Sequence, residues 1–135
     1  MNTLESIPAE LELTETWEQK GGSYWLAPAA LDVRKMAYLM TLRKARFITI
    51  TAIELPEQDG LVMDYHWDLD GQLLTFELRV ENNQVDSIYG LCEAADWIER
   101  EIHEYFAIDF IGREYEPLML RAGDKMGVNL HEEEE

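Results

Sequence analysis

The sequence predicts an α+β domain: a mixed, largely antiparallel sheet of about four to five strands with two main helices packed on it. Three observations carry this. Two stretches, 28–43 and 94–106, hold apolar residues at helical spacing. Between them, over 46–89, run about four β-branched or aromatic segments with no helical period. Asp70-Gly71 separates two of these segments, and that dipeptide suits a tight hairpin because both positions tolerate positive φ. Strands that follow one another without helices between them pair mostly antiparallel, which argues against a doubly wound α/β arrangement.

The N-terminal stretch is the least patterned. Leu11, Leu13 and Trp17 alternate with polar residues, and Gly21-Gly22 supplies a turn into Tyr24-Trp25-Leu26, so a hairpin is expected. A helix beginning at Pro8, with Ser6 as a nearby cap, is the alternative. Pro28 fits the first turn of a helix running to about Arg43, with Val33, Met36, Ala37 and Met40 as its core stripe and Leu31, Tyr38 and Leu42 on the neighbouring face. Arg43, Lys44 and Arg46 lie at its C-terminal end, where cations favour the negative pole of the macrodipole.

Residues 46–55 read as a strand buried on at least one face, and 56–60 as a loop. Segments 61–68 and 72–81 flank the Asp70-Gly71 turn. On the second of these, Leu74, Phe76, Leu78 and Val80 share one face while Thr75, Glu77 and Arg79 share the other. After Asn82-Asn83, residues 85–89 are expected to add a fourth strand, which Gly90 ends. The stretch 94–112 follows. Ala94, Ile98, Ile102 and Phe106 recur every four residues as an apolar stripe, and Trp97 and Tyr105 widen it toward the core. Glu99, Arg100, Glu101 and Glu104 fall on the remaining faces. Ile108 and Phe110 then alternate with Asp109 in a short extended piece that halts at Gly112.

The 135 residues form one domain, large enough to bury a core without disulfides or metals. The expected division is 1–26 as an N-terminal extension able to form a hairpin, 27–120 as the main domain, and 121–135 as an acidic, disordered tail. The formal net charge is −17, from 28 acidic and 11 basic residues, which opposes binding to nucleic acid or anionic lipid. The longest apolar run, around 47–53, is broken by threonines and too short for a bilayer. Met1-Asn2-Thr3-Leu4-Glu5 lacks a basic region followed by an apolar core, so no signal peptide is expected.

The chemical motifs are few. Cys92 is alone, which excludes an internal disulfide or an iron–sulfur cluster ligated by this chain only. Glu99 and His103 share helical i, i+4 spacing, but no third ligand accompanies them, and a helix-stabilising polar pair explains them better than a metal. No phosphate-binding loop follows Gly21-Gly22 or Gly123, and neither Ser23 nor Ser87 sits in a nucleophile elbow. On residue pattern alone, Glu99-Arg100-Glu101 is an exposed charge run with weak ion pairs.

Two strings of residues carry more. Trp97-x-Glu99-Arg100-Glu101, followed by Phe106-x-Ile108-x-Phe110-x-Gly112, resembles the W-x-E-R-E…F-G-I-x-F-x-G signature of the complex I 30-kDa subunit family, over about 26–120. Three positions depart from it: Ala107 stands where the family usually has Gly, Glu104 where it has Asp, and Arg113 where His or Asn follows the last Gly. Arg113, with Glu116-Pro117-Leu118-Met119-Leu120, is more similar to the branch found in membrane-bound energy-converting nickel–iron hydrogenases.

The resemblance implies an α+β fold and a cofactor-free accessory subunit, inactive alone and cytoplasmic at the peripheral arm of a membrane complex. Its partners would be the large quinone-site or nickel–iron subunit and other peripheral-arm subunits, with no nucleic acid and no membrane insertion. The signature helix and the segment after it lie near the large-subunit contact in that family. The implied interface residues here are Trp97, Glu99, Arg100, Glu101, Gly112, Arg113, Pro117, Leu118, Met119 and Leu120. From the residues themselves, the fork of Arg100 suits bidentate contacts, and 118–120 could be either an arm or intrachain packing. An acidic adaptor or nucleic-acid mimic is the alternative function; it leaves the signature helix unexplained.

Overall fold

The computed structural model describes residues 4–56 and 60–114. Among the described residues, three α-helices, α1 (Ser6–Glu10), α2 (Val33–Leu42) and α3 (Asp96–Phe106), accompany seven strands: β1 (Glu18–Lys20), β2 (Ser23–Leu26), β3 (Arg46–Glu54), β4 (Leu61–Leu69), β5 (Gln72–Val80), β6 (Gln84–Asp86) and β7 (Asp109–Ile111). The main sheet has the order β1-β2-β5-β4-β3, and β6 and β7 form a separate parallel pair. All pairings in the main sheet are antiparallel except β2 with β5. This is the α+β class expected from the sequence.

The β4–β5 hairpin turns on Asp70 and Gly71, whose φ values of 55° and 85° are those of a two-residue turn matched to strand twist. Alternation then sorts the sheet into two faces. Leu61, Met63, Tyr65, Trp67 and Leu69 of β4 join Leu74, Phe76 and Val80 of β5 and Ile50 of β3 in the core. Val33, Met36, Ala37 and Met40 of α2 and Ile102 of α3 bury against the same face. That stripe of α2 is the expected one. Tyr38 and Leu42, on its neighbouring face, are exposed.

Several boundaries differ from expectation. α2 starts at Val33 rather than Pro28, because Asp32 caps it: its side chain accepts the Lys35 N–H at 3.2 Å. The N-terminus contains both expected alternatives in shortened form. A single turn of helix holds Pro8, and the hairpin across Gly21-Gly22 begins at Glu18, not near Leu11. Arg43, at the end of α2, ties that first helix down through Ser6 Oγ and Glu10 Oε2, each at 2.8 Å. The hairpin joins the main sheet through β2, with Leu26 fully buried.

The expected fourth strand over 85–89 does not extend the main sheet. Only Gln84–Asp86 is a strand, and it pairs with β7 beyond α3. This places the residues after β6 and those after β7 side by side at the start of α3.

Candidate functional site

The site begins with that juxtaposition. Ser87 follows β6, and its N–H donates to the Ile111 carbonyl at 2.9 Å. Gly112, at φ 98°, takes a left-handed turn that side chains resist, and the chain swings Arg113 back over the first turn of α3. Among them lies Glu99, with no solvent exposure at all.

A buried carboxylate survives only when its oxygens are bonded. Glu99 Oε1 accepts the Ser87 hydroxyl at 2.7 Å and Arg113 Nη1 at 3.2 Å, and Oε2 accepts the Ile88 N–H at 2.8 Å. Burial nevertheless wins and pushes the carboxyl above its ordinary range; the Ile88, Ser87 and Arg113 contacts only moderate the rise. The same burial, with Glu99 and then Asp86 nearby, raises the Tyr65 hydroxyl well above its usual value.

Arg113 is almost as enclosed. Its Nη2 donates to Asp96 Oδ1 at 2.5 Å, and its guanidinium lies 4.8 Å from the Tyr89 ring. Burial alone would lower its pKa, but the bonds to Asp96 and Glu99 outweigh this and raise it. Ser87 is held from a third side by Arg34 of α2, which donates to its carbonyl at 2.9 Å. Four separate elements are thus fastened by one polar cluster.

An outer layer sits on this inner one. The second oxygen of Asp96 is 3.5 Å from Arg100 Nη2, one helical turn on. The Arg100 guanidinium in turn stacks 5.7 Å above the ring of Trp97, which is 58% exposed. Asp96 therefore bridges Arg113 inside to Arg100 outside.

The helix phase is the main correction to the sequence reading. Ala95, Glu99 and Ile102 form the buried stripe, while Ile98 and Phe106 are only half-buried and Ala94 is exposed. Trp97 and Tyr105, expected to widen the core surface, are exposed instead, and Glu99, expected on a solvated face, is inside. The exposed charge run suggested by pattern alone is likewise absent: Glu101 faces solvent, but Glu99 is buried and Arg100 half-buried. Nor are Glu99 and His103 a pair. His103 Nδ1–H donates to the Ile108 carbonyl at 2.7 Å, which fastens the end of the helix.

Among the residues named from sequence, Trp97, Arg100, Gly112 and Arg113 come together around Glu99. Glu101 lies apart, on a groove of about 280 Å³ between α3 and β3 that Ile98, Tyr105 and Phe106 also line. Pro117, Leu118, Met119 and Leu120 lie outside the described residues. Sequence reasoning missed Asp96, Ser87 and Tyr89. Asp96 was findable, as an acid in the first turn of α3 four residues before Arg100; Ser87 and Tyr89 had no local signal.

Chemically, the cluster is a clamp. Its inner carboxylate is saturated with donors, and its outer surface offers an aromatic ring, a planar cation and a carboxylate. Among the described residues, no group of three metal-ligating side chains occurs. Cys92 is half-buried, and burial pushes its thiol up, away from the reactive thiolate. No described helix is long and apolar enough to cross a membrane.

The sequence matches the family described as respiratory-chain NADH dehydrogenase, 30 Kd subunit, over residues 29–128. Among solved structures, it is similar to a trypsin-resistant fragment of Nqo5, with 20% identity and a TM-score of 0.64 over 83% of this chain and 95% of that one. It is also similar to a chain of the membrane-bound sulfane sulfur reductase, an archaeal respiratory membrane complex, with 18% identity and a TM-score of 0.67 over 81% of this chain and 68% of that one. No curated protein sequence matches.

Proposed function

The chain belongs to the respiratory-chain NADH dehydrogenase 30-kDa subunit family, and from that premise we propose that it is a cofactor-free accessory subunit that docks on the large catalytic subunit of a complex I-like membrane oxidoreductase. The hydrogenase type is favoured over the NADH dehydrogenase type by Arg113 and by the sequence Glu116-Pro117-Leu118-Met119-Leu120. The proposed position is the cytoplasmic peripheral arm, with no membrane insertion and no nucleic-acid partner.

One observation carries the docking surface: an exposed Trp97 held under the Arg100 guanidinium, which is anchored through Asp96 to the buried Glu99–Arg113 pair. A large ring left in water costs hydrophobic free energy, and fixing two long side chains costs entropy. A surface that bears both costs is preorganised for a contact, and Trp with Arg is the composition that dominates protein interfaces. Glu99, Gly112 and Arg113 then act as positioning residues, Asp96 ties the two layers together, and 117–120 is a proposed extension of the same contact.

The experiment is recovery of the complex from membranes through a tag on the full chain. Trp97→Ala is expected to leave the free chain's stability within about 0.5 kcal/mol, as for a surface residue. The same change is expected to weaken association with the large subunit by about 2 kcal/mol or more. Full recovery of the large subunit by the Trp97→Ala and Arg100→Ala variants would reject this surface.

A further inference from the structure

β3 is the outermost strand of the main sheet. One of its edges pairs with β4, and among the described residues nothing pairs with the other. Such an edge presents a row of outward backbone N–H and C=O groups, which proteins blunt with charges, prolines or bulges. β3 has a bulge only at its start, between Phe47 and Thr49. Beyond it, Thr49-Ile50-Thr51-Ala52-Ile53 reaches Glu54 without a charge or a proline. Ile48 and Ile53 are exposed.

The groove of about 280 Å³ lies along this same strand. Successive strand residues point to opposite faces, so a groove over one face would touch every second residue. Here Thr49, Ile50, Thr51 and Ala52 all line it, which opens it onto the strand's edge. The other wall is α3, where Ile98, Ile102, Tyr105 and Phe106 supply apolar surface and Glu101 the one charge. Among the described residues Glu101 has no ion-pair partner. It stands one helical turn from Trp97, so the groove adjoins the Trp97 surface around α3.

We propose that this edge and groove receive an extended segment of a neighbouring subunit, which adds a strand beside β3, sets an apolar side chain in the groove and places a lysine or arginine against Glu101. The inference rests on the chain being a subunit of a larger complex, and it carries the Trp97 surface around the helix. Backbone chemistry selects the form of the occupant. Another extended backbone completes a row of outward N–H and C=O groups, and its alternate side chains then fall into the groove. A docked helix would leave that row unmatched. Charge selects the composition: an unpaired carboxylate on a chain of net charge −17 favours a basic segment.

Other occupants fit less well. A second copy would bring the same net charge of −17 against this one. The chain's own Leu118-Met119-Leu120-Arg121 has suitable chemistry. However, Arg113 leads the chain out beside Asp96 and Glu99, on the flank of α3 turned away from Ile98, Glu101 and Tyr105. The far face of the sheet offers no rival site. Asp64 there is buried, and its carboxyl is closed off by a hydrogen bond with Glu77; burial first, and then Glu77, raises it to about 7, which Lys20 only moderates.

The test uses the tagged full chain, with a photo-cross-linking benzoylphenylalanine in place of Tyr105, recovered from membranes with its complex. The cross-link is expected to map to one segment of a co-purifying subunit, with alternating apolar residues and a lysine or arginine. Amide hydrogen exchange over 49–54 should slow by about tenfold or more between the free and the assembled chain. Glu101→Lys should melt within about 2 °C of wild type, as for a surface residue. It should nevertheless give about tenfold less of that cross-link. Cross-links confined to a second copy or to the chain's own 115–121 would overturn the proposal. So would unchanged exchange over 49–54 on assembly, or a folded Glu101→Lys chain that cross-links as wild type does. If Trp97→Ala loses the complex while 49–54 exchange equally fast in the free and assembled wild type, only this inference fails. If wild type recovers no other subunit, the subunit reading fails with it.

Discussion

Glu99 and Arg113 meet at 3.2 Å inside the molecule, one side chain with no solvent exposure and the other with 5%. They come from α3 and from the turn after β7, so the pair closes the loop formed by helix, strand and turn. Removing one member of such a pair leaves a buried charge without its partner, which costs far more than the pair contributes relative to an apolar replacement.

Glu99→Ala is therefore expected to destabilise the chain by about 3–5 kcal/mol in chemical denaturation. Glu99→Gln keeps the volume but sets an amide NH₂ against one of the three donors, and the expected loss is about 1–3 kcal/mol. Equal effects for the two would mean that shape, not hydrogen bonding, sets the cost.

The half-burial of Phe106 makes its truncation milder than for a core aromatic. Phe106→Ala should cost about 1–2 kcal/mol, below the roughly 3–5 typical of a fully enclosed ring. Ile102→Ala, at 4% exposure, should cost about 2–4 kcal/mol. Melting curves that reverse this order would contradict the helix phase.

Ala107 ends α3 in the left-handed conformation, at φ 59° and ψ 36°. A Cβ is penalised there by roughly 1 kcal/mol, and glycine is the residue that avoids it. Ala107→Gly should consequently raise stability by about 0.5–1 kcal/mol despite the added freedom of the unfolded chain. A lower melting temperature would show that the Ala107 methyl contributes packing that outweighs the backbone penalty.

Asp64 gives a pH dependence of defined sign. Its folded pKa of about 7 lies above the ordinary 3.8, so between these values the folded chain binds more protons than the unfolded one. Its stabilising contribution is then full below about pH 4 and is lost as pH rises toward 7. Asp64→Asn, which cannot ionise, should exceed wild type by about 1–3 kcal/mol at pH 8 and by much less at pH 4. A pH-independent difference would mean that Asp64 is ionised throughout.

By itself, the sequence determined what local chemistry can determine. Asp70-Gly71 specified its hairpin because few dipeptides accept that turn, and alternation assigned Leu74, Phe76 and Val80 to the core. Helical spacing placed Val33, Met36, Ala37 and Met40 on one buried stripe, and the spacing from Trp97 to Gly112 carried the family resemblance. Only the tertiary structure decided where α3 turns its charges. A carboxylate reads as a surface residue until its donors are known, and those of Glu99 come from Ser87, Ile88 and Arg113, 11 to 14 positions away along the chain. The pairing of β6 with β7 was hidden for the same reason: two three-residue strands on either side of a helix show no periodicity of their own. Their partnership joins segments on either side of α3, with the Ser87 N–H donating to the Ile111 carbonyl, and no local spacing announces it.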